Sequence, residues 1–464
     1  MHVPFAPSDP LGQVRFDPRA GWIRRALAFV GPGLMVSVGY MDPGNWATDL
    51  LGGSKFGYSL LWVVLLSSLA AQFLQVLCVR LGLVTGRDLA QLCRERFPQP
   101  VVFVLWLLCE LAIIACDLAE VIGSAVGLQL LFGIPLIFGV VLTGLDVLLL
   151  LALLKFGLRW IEAIVATLVF TVSGCFAFEI VLAKPDWGGV AHGLAVPNLP
   201  AGALLVSLGI LGATVMPHNL YLHSALMRTR PVLEGQLKTA IKYATWDTLI
   251  SLGIAFFVNA AILVLAAAKF HPSGTEVAEL QQAHALLAPL LGGAAATAFA
   301  VALLASGQSS TITGTLAGQI VMEGFLRWKV KPWQRRLVSR VLAIIPALLV
   351  VTATGGTHTV DMLVVSQVIL SLQLPFAILP LVMFTSSPTL MGKFASKPWI
   401  GVVGYGISLS IVGLNLLLLY QATGVVGLAV MVGGIGLIYA GALVFNHLKR
   451  PAARLDEVDP QSPS

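Results

Sequence analysis

Apolar residues along this chain gather into long blocks instead of alternating with polar ones. Runs of roughly 20 or more, each long enough to cross a bilayer, recur from about Leu27 to about Val444, with short charged or Gly/Pro-rich breaks between them. Twelve blocks can be drawn: 26–54, 57–85, 100–130, 133–154, 158–183, 201–228, 241–268, 290–323, 337–354, 359–385, 397–420 and 423–446. The pattern predicts an all-α polytopic membrane protein of about twelve transmembrane helices. The twelfth rests on TGVVGLAVMVGGIGLIYAGALVF, followed by His447, Lys449 and Arg450. The stretch GTEVAELQQAHALLA, residues 274–288, reads as an amphipathic helix outside the bilayer.

Composition agrees with the pattern. Of 464 residues, 57% are apolar and 11% charged, outside the range of a soluble globular domain. No sizeable soluble domain fits between the blocks. The polar residues 1–25 lack a cleavable secretory signal, so the first block is the expected insertion signal. Five cysteines (Cys78, Cys93, Cys109, Cys116 and Cys175) match neither a CxxC pair nor a disulfide framework and read as apolar fillers. The net charge of +6 suggests no nucleic-acid partner here; it reflects which loops face the cytoplasm. All but three of the 28 Lys and Arg fall on one side of the twelve-helix arrangement, the exceptions being Lys55, Lys184 and Lys269. Both tails, 1–25 and 447–464, are therefore expected in the cytoplasm.

Two blocks are interrupted in the middle. MDPGN (residues 41–45) breaks the first and VMPHN (215–219) breaks the sixth, and an unwound turn in hydrocarbon needs something to satisfy its carbonyls and amides. Each break lies in the first helix of a five-helix set, and the second set enters the membrane in the opposite direction. That is the mark of an inverted-repeat transporter whose unwound helix pair forms a midplane site, with repeat one at 26–183, repeat two at 201–385 and additional helices at 397–446. The alternative is two unrelated proline kinks. Asp42 weighs against it, since an ionised aspartate at membrane depth calls for a cation or a donor. Asn45 adds an amide oxygen, the unwound residues near Gly39 and Ala213 add backbone carbonyls, and Met216 adds a thioether. Alone, Met216 would read as packing. Beside Asp42 and Asn45 it reads as a soft ligand, and the mixed donor set favours divalent transition metals over Mg²⁺ or Ca²⁺.

DPGN, MPHN and GQSSTITGTLAGQIVMEGF (307–325), in this order and spacing, resemble the Nramp family of proton-coupled divalent metal transporters, in its bacterial manganese-transporting branch. The resemblance implies an amino-acid-transporter-like (LeuT-type) fold. It assigns metal-ligand roles to Asp42, Asn45, Met216 and the Ala213 carbonyl, and adds Gln367 for the occluded state. Gly39 departs from the family, where alanine is more usual, and should loosen the local backbone. The resemblance further implies import of Mn²⁺, with Fe²⁺ and Cd²⁺, into a bacterial cell across its inner membrane. The metal ion and the proton are substrates; no resident cofactor and a monomer are expected.

The third block, CELAIIACDLAEVIG, puts Glu110, Asp117 and Glu120 on one helical face. Such a face suits a proton relay or a polar seam satisfied by arginines. The resemblance favours the relay, with Asp42, His218, Glu120, Asp117, Glu110, Arg230 and Arg340 in the proton pathway. Arg230 and Arg340 are expected as partners of the acidic face, with Arg335 and Arg336 close to Arg340. Asp146 and Glu162 read as structural pairs with Lys155 and Arg159; Asp247 and Asn259 as lining the pathway; Asp361 as a guide for cations in an external vestibule; and 307–325 as a close-packing surface. A sodium-coupled symporter of an organic solute shares the broken-helix architecture, but its first break should leave amides free for a carboxylate. HExxH, GxSxG and Walker motifs are all missing, which argues against a hydrolase and against direct ATP drive. A continuous channel fits two inverted breaks poorly.

Overall fold

The computed structural model describes residues 29–145 and 158–448, apart from the single positions 231, 233, 278, 329 and 358. Every regular element among them is helical. The first block becomes a short α1 (Pro32–Ser37), a 3₁₀ turn (Val38–Met41) and α2 (Pro43–Phe56). Then come α3 (Leu61–Thr85), α4 (Leu89–Arg96), α5 (Gln99–Phe132), α6 (Leu136–Leu142), α7 (Leu158–Ala183) and α8 (Trp187–Ala195). The sixth block is likewise divided, into α9 (Leu204–Thr214) and α10 (Pro217–Met227). It is followed by α11 (Leu237–Lys269), α12 (Leu280–Leu291), α13 (Gly293–Leu326), α14 (Pro332–Thr354), α15 (Thr359–Ser386), α16 (Pro388–Met391) and α17 (Pro398–Leu448).

Nine segments among the described residues are long and apolar enough to span a membrane. The rest of the block predicted at 133–154, with Asp146 and Lys155, lies outside the described residues. α17 covers both of the last two predicted blocks. Its one non-helical residue, Gly424 (φ 68°, ψ −168°), falls just inside the start of the second, predicted at 423–446. The amphipathic helix expected at 274–288 begins later, at Leu280.

α9 and α10 are largely enclosed, with Leu205 at the start of α9 exposed, whereas α7, α14 and α17 carry outward apolar residues such as Val181, Leu349 and Val402. Exposed apolar side chains in that number would be costly in water; facing lipid they cost nothing. The central helices approach closely where side chains are small. A methyl group built on Gly307 of α13 would lie 2.3 Å from Ser124 Oγ of α5, and one on Gly212 of α9 would lie 2.0 Å from the Gln367 carbonyl of α15. On α2, Trp46 is fully buried between Phe176 and Phe299, with ring centroids at 4.7 and 5.1 Å.

The short α1 is held by charge. Asp247 of α11 accepts hydrogen bonds from the Gly33 amide (2.7 Å) and the Gly31 amide (3.4 Å), donors that the first turn of a helix leaves free. Asp247 thus caps α1, where the sequence suggested a pathway-lining role. Glu162 of α7 lies beside it, pairing with Arg159 (3.0 Å) as expected and with Arg230 beyond the end of α10 (2.5 Å).

Candidate metal centre

Both helix breaks follow from proline chemistry. Proline has no amide hydrogen, so Pro43 cannot donate to the carbonyl four residues earlier, Gly39, and Pro217 cannot donate to Ala213. The two carbonyls named from the sequence are thus among those that lose their helical donor; that of Met41, whose donor Asn45 turns to Asp42, accepts from the Trp46 and Ser306 side chains instead. Asp42 turns extended (φ −68°, ψ 166°) and caps α2, its Oδ1 accepting from the Asn45 amide at 2.9 Å. Met216 is likewise extended (φ −67°, ψ 120°) at the start of α10.

Packing brings the two breaks together. A methyl group on Gly39 would lie 3.2 Å from Met216 Sδ and 2.2 Å from Asn219 Nδ2. Gly39 adopts ordinary 3₁₀ backbone and has no positive φ, so its role is to admit the Asn219 amide; the looser backbone expected there is not what the glycine supplies. A methyl group on Gly44 would collide with the Gln367 amide, at 1.8 Å from Nε2, so α15 delivers Gln367 to the Asp42 break. Asp42, Asn45, Ala213, Met216, His218 and Gln367 are each at most 2% exposed. Several of their polar atoms lack a hydrogen-bond partner: Asn45 Oδ1, Gln367 Oε1 and His218 Nδ1, together with both amide atoms of Asn219. Buried polar atoms are rarely left so, and a cluster of them marks a place prepared for something else. One carboxylate surrounded by neutral oxygen and sulfur donors would hold a divalent ion without trapping it.

Next to this cluster runs the acidic face of α5, and α14 meets it with three arginines. Arg335 Nη2 lies 2.8 Å from Glu110 Oε2, Arg336 reaches Asp117 Oδ1 (2.5 Å) and Glu120 Oε2 (3.0 Å), and Arg340 lies 3.3 Å from the same Glu120 oxygen. Thr311 Oγ1 of α13 also donates to Glu120 Oε2, at 3.0 Å. Arg340 is therefore placed where it was expected. Arg230 is placed elsewhere: it pairs with Glu162, beside the α1 anchor. Arg336 touches two of the three acids, although the sequence offered it only as a neighbour of Arg340. The 307–325 stretch is a packing surface as expected, and its glycines also make room for ionic groups. A methyl on Gly318 would overlap the Arg335 guanidinium, and one on Gly314 would come to 3.0 Å from Glu120 Oε1.

Other groups escaped the sequence reading. Cys116 is no inert filler, for its sulfur lies 3.8 Å from Asp42 Oδ2 and 3.9 Å from Glu120 Oε1. A second polar chain joins Tyr40 to Gln75 (2.6 Å) and Gln75 to His223 (2.9 Å), linking the first break to α3 and α10. Asn259 is buried on α11 with Oδ1 unpartnered, whereas Asp361 is exposed at the start of α15.

The family model described as natural resistance-associated macrophage protein-like (Nramp) matches residues 33–421, which include both breaks, the acidic face and Gln367. The chain belongs to the Nramp family. It is 57% identical over 411 residues to a protein of Nostoc sp. named divalent metal cation transporter MntH, covering 86% of this chain and 92% of that one. Among solved structures it resembles the Eremococcus coleocola manganese transporter in complex with an aromatic bis-isothiourea substituted compound. That match has a TM-score of 0.84 and 39% identity, covering 94% of this chain and 98% of that one. A more distant likeness, TM-score 0.57 at 15% identity over 94% of this chain and 95% of that one, is to Mhp1, a nucleobase-cation-symport-1 family transporter. It establishes the LeuT-type fold alone. This Nramp chain is thus an all-α, multi-pass membrane protein with helices broken at the places the two prolines dictate.

Proposed function

We propose that this chain is a secondary active transporter that imports divalent transition metal ions, Mn²⁺ foremost and with it Fe²⁺ and Cd²⁺, together with protons, by alternating access. One observation carries the reading. Where the two breaks meet, the single carboxylate of Asp42 stands with the Met216 sulfur and with buried amide oxygens of Asn45 and Gln367 that have no partner. The names of the relatives support divalent metal as the cargo. The organic-solute alternative requires free amides at the first break, and there the Asn45 amide is taken by Asp42 itself.

Asp42, Asn45, Met216, Gln367 and the carbonyls of Ala213 and Gly39 would replace the ion's water. Inverted repeats at 26–183 and 201–385 would rock about that point, in the inner membrane of a bacterium with both termini in the cytoplasm. Protons would use Asp42, His218 and the Glu120, Asp117 and Glu110 face with Arg340, Arg336 and Arg335. Ions and protons are cargo here, and no bond is made or broken in a substrate, so the protein is not an enzyme.

The test is uptake of Mn²⁺ into proteoliposomes with internal pH recorded at the same time. Metal entry accompanied by acidification is expected. Glu120→Gln should retain Mn²⁺ affinity within about twofold while proton entry per ion falls. Metal entry that never changes internal pH would refute the coupling.

A further inference from the structure

The structure assigns to Cys116 a role as a second soft donor at the metal centre, engaged by thiophilic ions such as Cd²⁺ and passed over by Mn²⁺. This rests on the reading of Asp42 as the metal's carboxylate.

Cys116 is 3% exposed, and its sulfur is 3.8 Å from Asp42 Oδ2. The thiol spans this distance with a hydrogen bond to Asp42; a tetrahedral zinc ion, with bonds of roughly 2.1 Å to a carboxylate oxygen and 2.3 Å to sulfur, would hold the same two atoms about 3.6 Å apart, and the larger Cd²⁺ slightly farther. The gap between Asp42 and Cys116 therefore already has the width of one shared ion. Cys116 also packs in one small buried group with Met216, Ala112, Ala115 and Leu370, so the thiol beside Asp42 belongs to the same cluster as the proposed thioether ligand. The buried, unpartnered oxygens of Asn45 and Gln367 independently mark the neighbourhood as prepared for a ligand.

Mn²⁺ favours oxygen donors and gains little from a thiol, whereas Cd²⁺, a softer ion, gains from each sulfur it meets. On coordination the S–H bond is exchanged for an S–Cd bond, and the proton leaves to water.

The experiment titrates CdCl₂ and MnCl₂ by calorimetry into the purified full-length chain and its Cys116→Ser, Cys116→Ala and Asp42→Ala variants, while recording sulfur-to-cadmium charge transfer in the ultraviolet. Both Cys116 variants should bind Cd²⁺ about tenfold or more weakly and lose the charge-transfer band, with Mn²⁺ affinity within about twofold of the parent. Retained Mn²⁺ binding also certifies that they fold. Unchanged Cd²⁺ affinity would overturn the assignment, as would equal weakening for both ions, which marks a packing role. If Asp42→Ala binds Mn²⁺ like the parent, it is the metal-centre reading that fails. If Mn²⁺ binding needs Asp42 while Cd²⁺ ignores Cys116, only this inference fails.

Discussion

The cluster at the two breaks and the acid–arginine seam beside it are both buried and polar, and they balance their charge in different ways. In the seam each of Glu110, Asp117 and Glu120 meets an arginine of α14, and Glu120 Oε2 collects three donors. In the cluster, amide oxygens of Asn45 and Gln367 meet nothing. A polar group left unpaired at depth costs free energy; the seam's own unpartnered atoms, Asp117 Oδ2, Arg335 Nε and Nη1 and Arg336 Nε, sit in groups already matched by opposite charge, whereas the cluster's are neutral amide oxygens beside one carboxylate. Inside the membrane, carboxylates matched by arginines read as structure, and a carboxylate set among neutral donors reads as a site.

The sharpest break of the comparison is Asp42→Ala. It removes the only formal charge among the proposed ligands, and Mn²⁺ affinity should fall by roughly 3 kcal/mol or more, over a hundredfold. Calorimetric titration returning the parent affinity would remove Asp42 from the site. In the seam, Arg336→Gln strips a cation from two buried carboxylates and should destabilise the fold by about 3–5 kcal/mol, seen as a lower midpoint of thermal unfolding in detergent. Combining it with Asp117→Asn should recover part of that loss; no recovery would mean that the pair is not coupled.

Met216→Ala takes out the soft donor and leaves the oxygens. Discrimination of Mn²⁺ and Cd²⁺ from Ca²⁺ and Mg²⁺ should shrink by about 1–2 kcal/mol, roughly tenfold, in competition uptake assays. A variant that still excludes Ca²⁺ would make Met216 a packing residue. The smallest effect is expected from Asp247→Asn, which weakens the cap on α1 by about 1 kcal/mol without touching either region. Hydrogen exchange at the Gly31 and Gly33 amides should quicken while Mn²⁺ affinity in detergent stays put; slower exchange would contradict the cap.

Long apolar runs made the spanning helices readable from sequence, and prolines inside such runs made both breaks readable. α4 and α8 were not seen because each is too short to register as a block, and α4 is polar besides, although the Asp88–Gln91 capping box that starts α4 does leave a local trace. The cluster was legible because its charge and its prolines are adjacent in sequence. The seam was only half legible. Glu110, Asp117 and Glu120 share one helix, but Arg335 and Arg336 stand 216–225 positions away, and no local pattern says which arginine an acid will meet. The same distance hid Asp247 as the cap of α1 and Glu162 as the partner of Arg230.

The shortness of α1 has a mechanical meaning. Six residues are fewer than the roughly 12–15 an isolated helix needs to hold its own shape, so α1 keeps its form only while its neighbours grip it. Under the alternating access proposed above it would act as a lever, clamped by Asp247 at the tip and pivoting where the 3₁₀ turn gives way to Asp42. Because the pivot is also the carboxylate proposed to hold the ion, the lever cannot swing without changing the angle at which that carboxylate is presented. Opening the protein at this end and loosening its grip on the cargo would then be a single movement.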